Sequence, residues 1–219
     1  IRPTAADITC VGTRQLEHPL GDVIAVDKRK CRHGFTRAIV RFPVHGQAAD
    51  VAHPTAHSGM IRLTCPHLVK EIDSLEAGGG IRKVNDSLST SATLKDDFNT
   101  TNESWAAARK SATTDAEVEF VKRKMGAQGA KHFFDSGIIG VSKGKTDDAK
   151  CLHAHVADFI IRGKNEIGQL VLDELQKKNV NTEGCSACWQ QCDSNIAKDS
   201  ATWWYVPKKN KLGIRRKKH

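Results

Sequence analysis

Residues 150–155 pack one thiol and two imidazoles into a few positions, in the order Lys-Cys-Leu-His-Ala-His. If this stretch is helical, Cys151, His155 and Asp158 follow one another at spacings of four and three residues and share one face. Thiolate and imidazole groups are common ligands of zinc in proteins. The pattern therefore predicts a helix from 147 to 161 whose polar edge lines a buried site, with His153 on the opposite face and outside that site.

Other thiols along the chain can complete such a site. Cys185-x-x-Cys188 presents two thiolates to one ion, and structural zinc requires four tetrahedral ligands. Cys65 lies directly before a predicted helix, where the helix dipole favours a thiolate. The predicted metal ligands are Cys65, Cys151, His155, Cys185 and Cys188. Zinc is the preferred ion because histidines are nearby, an iron–sulfur cluster is the alternative, and buried thiols without an ion are the plainest interpretation.

Two kinds of thiol chemistry stay open beside metal binding. One is a redox role for Cys185 and Cys188, although this motif follows a helix and lies outside any βαβ unit. The other is nucleophilic catalysis by Cys151 or Cys65, with a nearby histidine as the base (His67, His153 or His155). Walker, GxGxxG, HExxH and GxSxG motifs do not occur in a usable context. We therefore assign no catalytic residue.

The elements that would position these residues form an α+β fold. Short β-branched runs predict three antiparallel strands, at 22–26, 38–44 and 60–63, with Pro43 closing the second. Pro66 suits the first position of a helix that three glycines, 78–80, bring to an end. The remaining predictions are two or three helices over 81–126 with breaks near 89–92 and 111–114, a loop over 126–144, and a C-terminal αα-hairpin formed by the helix at 147–161 and a second helix through Leu175.

The net charge of +9 is concentrated at the C-terminus of this 219-residue chain. Without the final tail the body is close to neutral, and its apolar runs are too short for a membrane span. A cationic tail behind Trp203 and Trp204 is typical of RNA contact, with aromatic rings stacking on bases. The predicted RNA-binding residues are Trp203, Trp204, Lys208, Lys209, Lys211, Arg215, Arg216, Lys217 and Lys218.

The seven cysteines are an odd number at low density, which favours a reducing compartment over a disulfide framework. Because the sequence starts at Ile1, we expect a processed or incomplete chain. Residues 1–21 show no clear period and predict an extended N-terminal arm. Residues 22–192 are predicted to form a single α+β domain, and residues 193–219 a C-terminal extension that ends in the basic tail.

Several strings together resemble a known family. They are Asp-Val-Ile-Ala-Val at 22–26, Cys-Arg-His-Gly-Phe at 31–35, Leu-Thr-Cys-Pro at 63–66, Lys-Cys-Leu-His-Ala-His at 150–155 and Asn-Glu-Ile-Gly at 165–168. In this order they resemble a mainly bacterial family known as domain of unknown function 501, over about residues 22–192. The resemblance implies a domain boundary but no activity. This chain departs from the family at 56–62, where members tend to have an aromatic, proline-rich lead, so a pocket lined by that lead would be altered here.

The sequence as a whole favours a non-catalytic accessory subunit of an organellar ribonucleoprotein assembly, such as a mitochondrial ribosome. A bound metal ion would stabilise its core, and its tail would contact RNA. A mitochondrial matrix location is preferred to a plastid one, and a cytoplasmic location stays open. The alternatives are a thiol- or iron–sulfur-dependent enzyme or redox protein, and a structural subunit of a respiratory or photosynthetic complex whose tail contacts acidic protein or lipid head groups.

Overall fold

The computed structural model describes residues 1–18, 20–45, 55–138 and 148–207. A small antiparallel sheet lies near the N-terminus, and its strands are β1 (Val23–Val26), β2 (Ala38–Arg41) and β5 (Ile61–Leu63), in the order β1-β2-β5. The central strand β2 is buried over its first three residues. The predicted α+β class and the three-stranded antiparallel sheet are confirmed.

The second strand is shorter than predicted. It ends at Arg41, before Pro43, which has no N–H to donate to a ladder. Val44 belongs to a separate two-stranded ribbon of β3 (Val44–His45) and β4 (Thr55–Ala56). Residues 46–54, between these two strands, lie outside the described ranges.

Helices make up the rest of the described fold. Their bounds are α1 (Ala5–Thr9), α2 (Pro66–Ala77), α3 (Gly80–Thr90), α4 (Ala92–Ser111), α5 (Asp115–Asp135), α6 (Leu152–Arg162), α7 (Glu166–Lys177) and α8 (Trp189–Cys192). The start of α2 at Pro66 and the hairpin of α6 and α7 are confirmed. Both predicted breaks are also confirmed, because the Ser91 side chain caps α4 and Thr114 forms a capping box with Glu117 at the start of α5. None of the described helices is both long and apolar enough to cross a membrane.

The predicted extended arm at 1–21 is wrong. Residues 5–9 form α1, and Cys10–Gln15 continues as a π-helical segment. Val11, Leu16 and Leu20 are buried against Val26 and Ile39 in a small core of their own. The N-terminal segment is therefore an integral part of the packed structure.

Two other boundaries differ from prediction. The loop expected at 126–144 is wrong in its first part, because α5 continues through a kink at Gly126 to Asp135 and buries Phe133. Residues 139–147 lie outside the described ranges. The helix expected from 147 begins at Leu152, which leaves Cys151 as an extended cap residue with φ −154° and ψ 109°.

The main core lies where α2, α6 and α7 pack on the sheet. Leu68, Ile72, Val156 and Ile167 are completely buried there. α6 and α7 pack closely at Gly168, where a Cβ atom would lie 2.3 Å from the carbonyl oxygen of His155. A glycine at this position lets the hairpin close, which fixes the orientation of α6 and of the residues at its N-terminus.

Candidate metal centre

The sequence predicted that Cys151 and His155 share one helical face, but in the structure they do not. Cys151 precedes the helix and its side chain lies beside His153, with 3.8 Å between Sγ and Nδ1. Glu76, near the end of α2, places its Oε1 atom 3.2 Å from the same nitrogen. One sulfur, one nitrogen and one oxygen from two helices therefore face a common point.

This group is compact enough for a metal ion. The ligand atoms of Glu76, Cys151 and His153 all lie within 4.8 Å of one another, and among the described residues this is the only set of three or more such groups. All three residues are half-buried. The arrangement can therefore hold an ion that remains in contact with solvent.

Neighbouring groups hold the His153 ring in place. The Nε2 atom of His153 lies 3.2 Å from the carbonyl oxygen of Val69 and 3.5 Å from Oδ1 of Asp73. Asp73 in turn accepts a hydrogen bond from the Tyr205 hydroxyl. A proton on Nε2 donated to Val69 leaves the Nδ1 lone pair facing Cys151 and Glu76, which is the tautomer a metal requires.

The electrostatics of the site favour an imidazolium when no metal is bound. Burial alone would lower the pKa of His153, but hydrogen bonds with Cys151 and Glu76 raise it to about 10. The same two side chains that hold the proton would hold the metal, so an ion must displace that proton on binding.

The model of one family, described as a protein of unknown function (DUF501), matches residues 27–173. This chain belongs to the DUF501 family. The predicted resemblance is confirmed, over a shorter range than the 22–192 expected. No curated protein and no solved structure matches the chain. Glu76, Cys151 and His153 all lie inside the DUF501 region, so the candidate metal centre lies within the matched domain.

His155 also lies in the DUF501 region but belongs to a different network. Its Nδ1 lies 3.3 Å from Oδ1 of Asn165, and the Asn165 amide donates to Asp158 at 2.9 Å. Trp105 and Arg162 donate to the same carboxylate. Burial lowers the pKa of His155 to about 4, so the ring is neutral and its role is to connect α6 with the cap of α7.

The remaining predicted ligands lie at the other end of α2. Cys65 caps the start of that helix, eleven residues before Glu76, and eleven residues of helix correspond to about 16 Å of rise. Cys65 and Cys188 line a small cavity of about 10 Å³. The backbone amide of Cys188 donates to the Cys185 sulfur at 3.2 Å. The structure thus brings Cys65 and Cys188 together, while Cys151 belongs to the group at the far end of α2.

The thiolate predicted at Cys65 is also corrected. Burial raises the pKa of the Cys65 thiol to about 12, and this effect exceeds the stabilisation expected from the helix N-terminus. The cavity is lined by several further thiols and imidazoles (Cys31, His33, His67 and Cys192). Within the described ranges, no three of these side chains have ligand atoms that all lie within 4.8 Å of one another, as those of Glu76, Cys151 and His153 do.

The two tryptophans predicted to bind RNA are in contact with the protein body. Trp203 packs at a tilt against His67, with 6.4 Å between ring centroids. The Trp204 ring contacts the cations of Arg14 and Lys198, at 5.0 Å and 4.8 Å from its centroid. The predicted tail ligands (Lys208, Lys209, Lys211, Arg215, Arg216, Lys217 and Lys218) lie outside the described residues.

Sequence reasoning did not find Glu76, and it assigned His153 to the wrong side. Had the helix been started at Leu152, the Cys151-x-His153 spacing would have indicated a cap residue and a first-turn residue able to meet. No local pattern marks Glu76, which is one of several acidic residues on α2 and lies 75 positions before Cys151.

Proposed function

We propose that this protein is a non-catalytic structural subunit whose fold is pinned by a divalent transition metal, preferably zinc, bound by Glu76, Cys151 and His153. The observation that carries the proposal is the convergence of three different ligand atoms within 4.8 Å. Sulfur, imidazole nitrogen and carboxylate oxygen are all ligands of zinc. An ion here would join the end of α2 to the start of α6, so part of its binding free energy would stabilise that junction.

The start of α6 depends on this same junction. Cys151 offers no side-chain hydrogen bond to the helix, and the Leu152 amide instead donates to Oε1 of Glu76 at 2.8 Å. A carboxylate at a helix N-terminus is also favoured by the helix dipole. Glu76 therefore already ties the two helices, and a metal that shares its carboxylate would strengthen a contact present without it.

The geometry is less suitable for catalysis by a Cys151–His153 pair. Oε1 of Glu76, at 3.2 Å, is closer to Nδ1 of His153 than the Cys151 sulfur is, at 3.8 Å, so the base is paired with another group. The Leu152 amide, which could otherwise stabilise an oxyanion, donates to the Glu76 carboxylate. These contacts favour metal binding over nucleophilic attack.

Cobalt(II) and zinc binding to the full chain tests the proposal. We expect one equivalent of zinc to bind and cobalt to give a thiolate-to-metal absorption band. Cys151→Ser should abolish the band and His153→Asn should weaken zinc binding at least about tenfold. Cys185→Ser is the matched control, because serine removes a thiol yet preserves the acceptor for the Cys188 amide.

The thermal stability of the same variants shows whether the bound ion stabilises the fold. Zinc at a hundredfold excess over Kd should stabilise the wild type by about 2.7 kcal/mol. The proposal is overturned if the wild type binds no zinc, or if Cys151→Ser binds zinc as tightly as the wild type does.

The second proposal is that the protein contacts RNA within a large assembly, such as a mitochondrial ribosome, through its last twelve residues. Seven of these residues are cationic. The docking of Trp203 and Trp204 supports the proposal by giving the tail a fixed point of departure beside Arg14 and Lys198. The rings contact the body, so in this proposal the tail cations alone neutralise phosphates.

Filter binding of single-stranded RNA at increasing salt tests this second role. The full chain should show a log–log salt slope of up to about −5 for seven cations, and a chain ending at residue 207 should lose most of that slope. Equal affinities and slopes for the two chains would refute it. Trp203→Ala should leave the slope unchanged, because the ring is packed against His67.

A further inference from the structure

The segments on either side of the DUF501 region pack against each other. Arg14, in the π-helical segment, lies against the residues that surround α8. Its guanidinium donates to the backbone carbonyl oxygens of Gln191, Gln190 and Ile196 at 2.8, 3.1 and 2.7 Å. In return, the Gln191 side chain donates to the Arg14 carbonyl at 3.2 Å. Two segments about 180 residues apart in sequence therefore form one layer.

Two thiols meet within this layer. Cys10 begins the π-helical segment and Cys192 ends α8. The Cys10 thiol donates to the Cys192 carbonyl oxygen at 3.3 Å, so the two residues are in direct contact. The Gln15 side chain donates to the Cys192 sulfur at 3.3 Å, which fixes its position. All seven cysteines, each within the described ranges, are free thiols.

The two thiols have different surroundings. Cys10 is half-buried, whereas only 6% of Cys192 is exposed. The adjacent Cys192 side chain, aided by the charges of Arg14 and Lys30, lowers the pKa of Cys10 despite its partial burial and the opposing charge of Asp7. The adjacent Cys10 side chain and burial raise the pKa of Cys192. An accessible thiol of lowered pKa beside a buried second thiol is the arrangement found at reversible redox sites.

We propose that Cys10 and Cys192 form a reversible disulfide that joins the N-terminal and C-terminal segments, with a low-molecular-weight disulfide such as oxidised glutathione as the oxidant. The Cys10 thiolate attacks one glutathione sulfur, breaks the glutathione S–S bond and releases one glutathione thiolate. That thiolate takes the proton of Cys192. The Cys192 thiolate then attacks the Cys10 sulfur and releases the second glutathione thiolate. Two protein thiols are thereby oxidised and one glutathione disulfide is reduced.

The order of attack follows from the geometry. Cys10 is the half-buried residue of the pair that a dissolved oxidant can reach, and it contacts the carbonyl oxygen of the buried Cys192 at 3.3 Å. Once Cys10 is in the mixed disulfide it carries no negative charge, so the main obstacle to ionising Cys192 is removed. Cys185 and Cys188 form a second adjacent thiol pair and provide an internal comparison.

The test uses the full chain, reduced and then equilibrated in glutathione buffers of increasing oxidised fraction. Free thiols are blocked with iodoacetamide and the peptides are mapped by mass without reduction. We expect the thiol count to fall by two from seven and the linked peptides to contain Cys10 and Cys192. Cys192→Ser should accumulate glutathione on Cys10, whereas Cys10→Ser should leave Cys192 unmodified.

Cys185→Ser is the matched control and should form the Cys10–Cys192 link to the same extent as the wild type. Circular dichroism of every variant ensures that a lost link is not a lost fold. The proposal is overturned if Cys185 and Cys188 are linked first, if glutathione adds equally to Cys10 and Cys192 in the two variants, or if all seven thiols persist in oxidised glutathione.

Discussion

Metal affinity at Glu76, Cys151 and His153 should rise steeply with pH. Without metal, the imidazole of His153 carries a proton that is stabilised by Glu76 and Cys151, and its pKa is about 10. Zinc requires the neutral ring, so the metal competes with this proton. At pH 7 the competition costs about three powers of ten in the binding constant, or about 4 kcal/mol. Between about pH 6 and about pH 9 the apparent constant should therefore increase about a thousandfold from His153 alone.

The measurement is a zinc competition against a chromophoric chelator at several pH values, corrected for the protonation of the chelator. Isothermal calorimetry in two buffers with different ionisation enthalpies counts the protons released for each ion bound. We expect at least one proton at neutral pH. Glu76→Gln should lower the pKa of His153 and make the curve level off at a lower pH, in addition to weakening binding.

Asp73→Asn is the matched control for that experiment. Asp73 lies at the other nitrogen of the ring, 3.5 Å from Nε2, and contributes no ligand atom to the group. Its replacement should leave the slope with pH intact. A zinc affinity independent of pH from 6 to 9, or no proton release at pH 7, would refute the assigned roles of Glu76 and His153.

Three further predictions concern the fold that positions the site. Because the pKa of buried His155 is about 4, the unfolded chain binds an extra proton between pH 6.5 and 4, and urea denaturation should show about 3 kcal/mol of stability lost as pH falls through that window. Gly168→Ala should destabilise the protein by about 3 kcal/mol in the same assay, because a Cβ would clash with the His155 carbonyl, whereas Gly12→Ala has 3.6 Å of room and should have little effect. Arg109→Met should lower the thermal midpoint, since the buried guanidinium satisfies the carbonyl of Ser136 at 2.6 Å and two others, and each unsatisfied group costs about 1–3 kcal/mol.

The sequence was sufficient for elements whose local signals agree with their packing. Strands β1 and β2 are rich in β-branched residues, and α2 begins at a proline and ends at glycines. The same glycine rule failed in α5, where Gly126 and Gly129 predicted a loop. There Ala130 and Phe133 are buried with Val44 and Val121, and this packing maintains a kinked helix against its local propensity.

The N-terminal helices were missed for a different physical reason. Val11 and Leu16 are five residues apart, which fits neither the alternation of a strand nor the spacing of an α-helix. The Leu16 amide donates to the Val11 carbonyl at 2.9 Å, which is the i to i−5 bond of a π-helix. The apolar residues of this π-helical segment therefore do not follow the period of an α-helix.

The candidate metal centre was only half predictable, because its residues meet through a helix boundary and a distant contact. Starting the helix at 147 placed Cys151 within a turn and paired it with His155. With the true start at Leu152, the extended cap conformation places the thiol beside His153. Glu76 reaches that point only because α2 packs against α6. The sequence of a single protein does not indicate that contact.

The prediction of one shared thiol site merged two sites that α2 keeps apart. Cys65 at the start of this helix faces the cavity that Cys188 and Cys192 also line, and Glu76 near its end faces Cys151. Between them Leu68 and Ile72 are completely buried, so α2 is a rigid spacer of about 16 Å. The proposed metal ligands lie within residues 27–173, whereas Cys10 and Cys192 lie outside that range. The proposed metal chemistry therefore belongs to the DUF501 domain and the proposed redox chemistry to the segments around it, so each can be lost without the other.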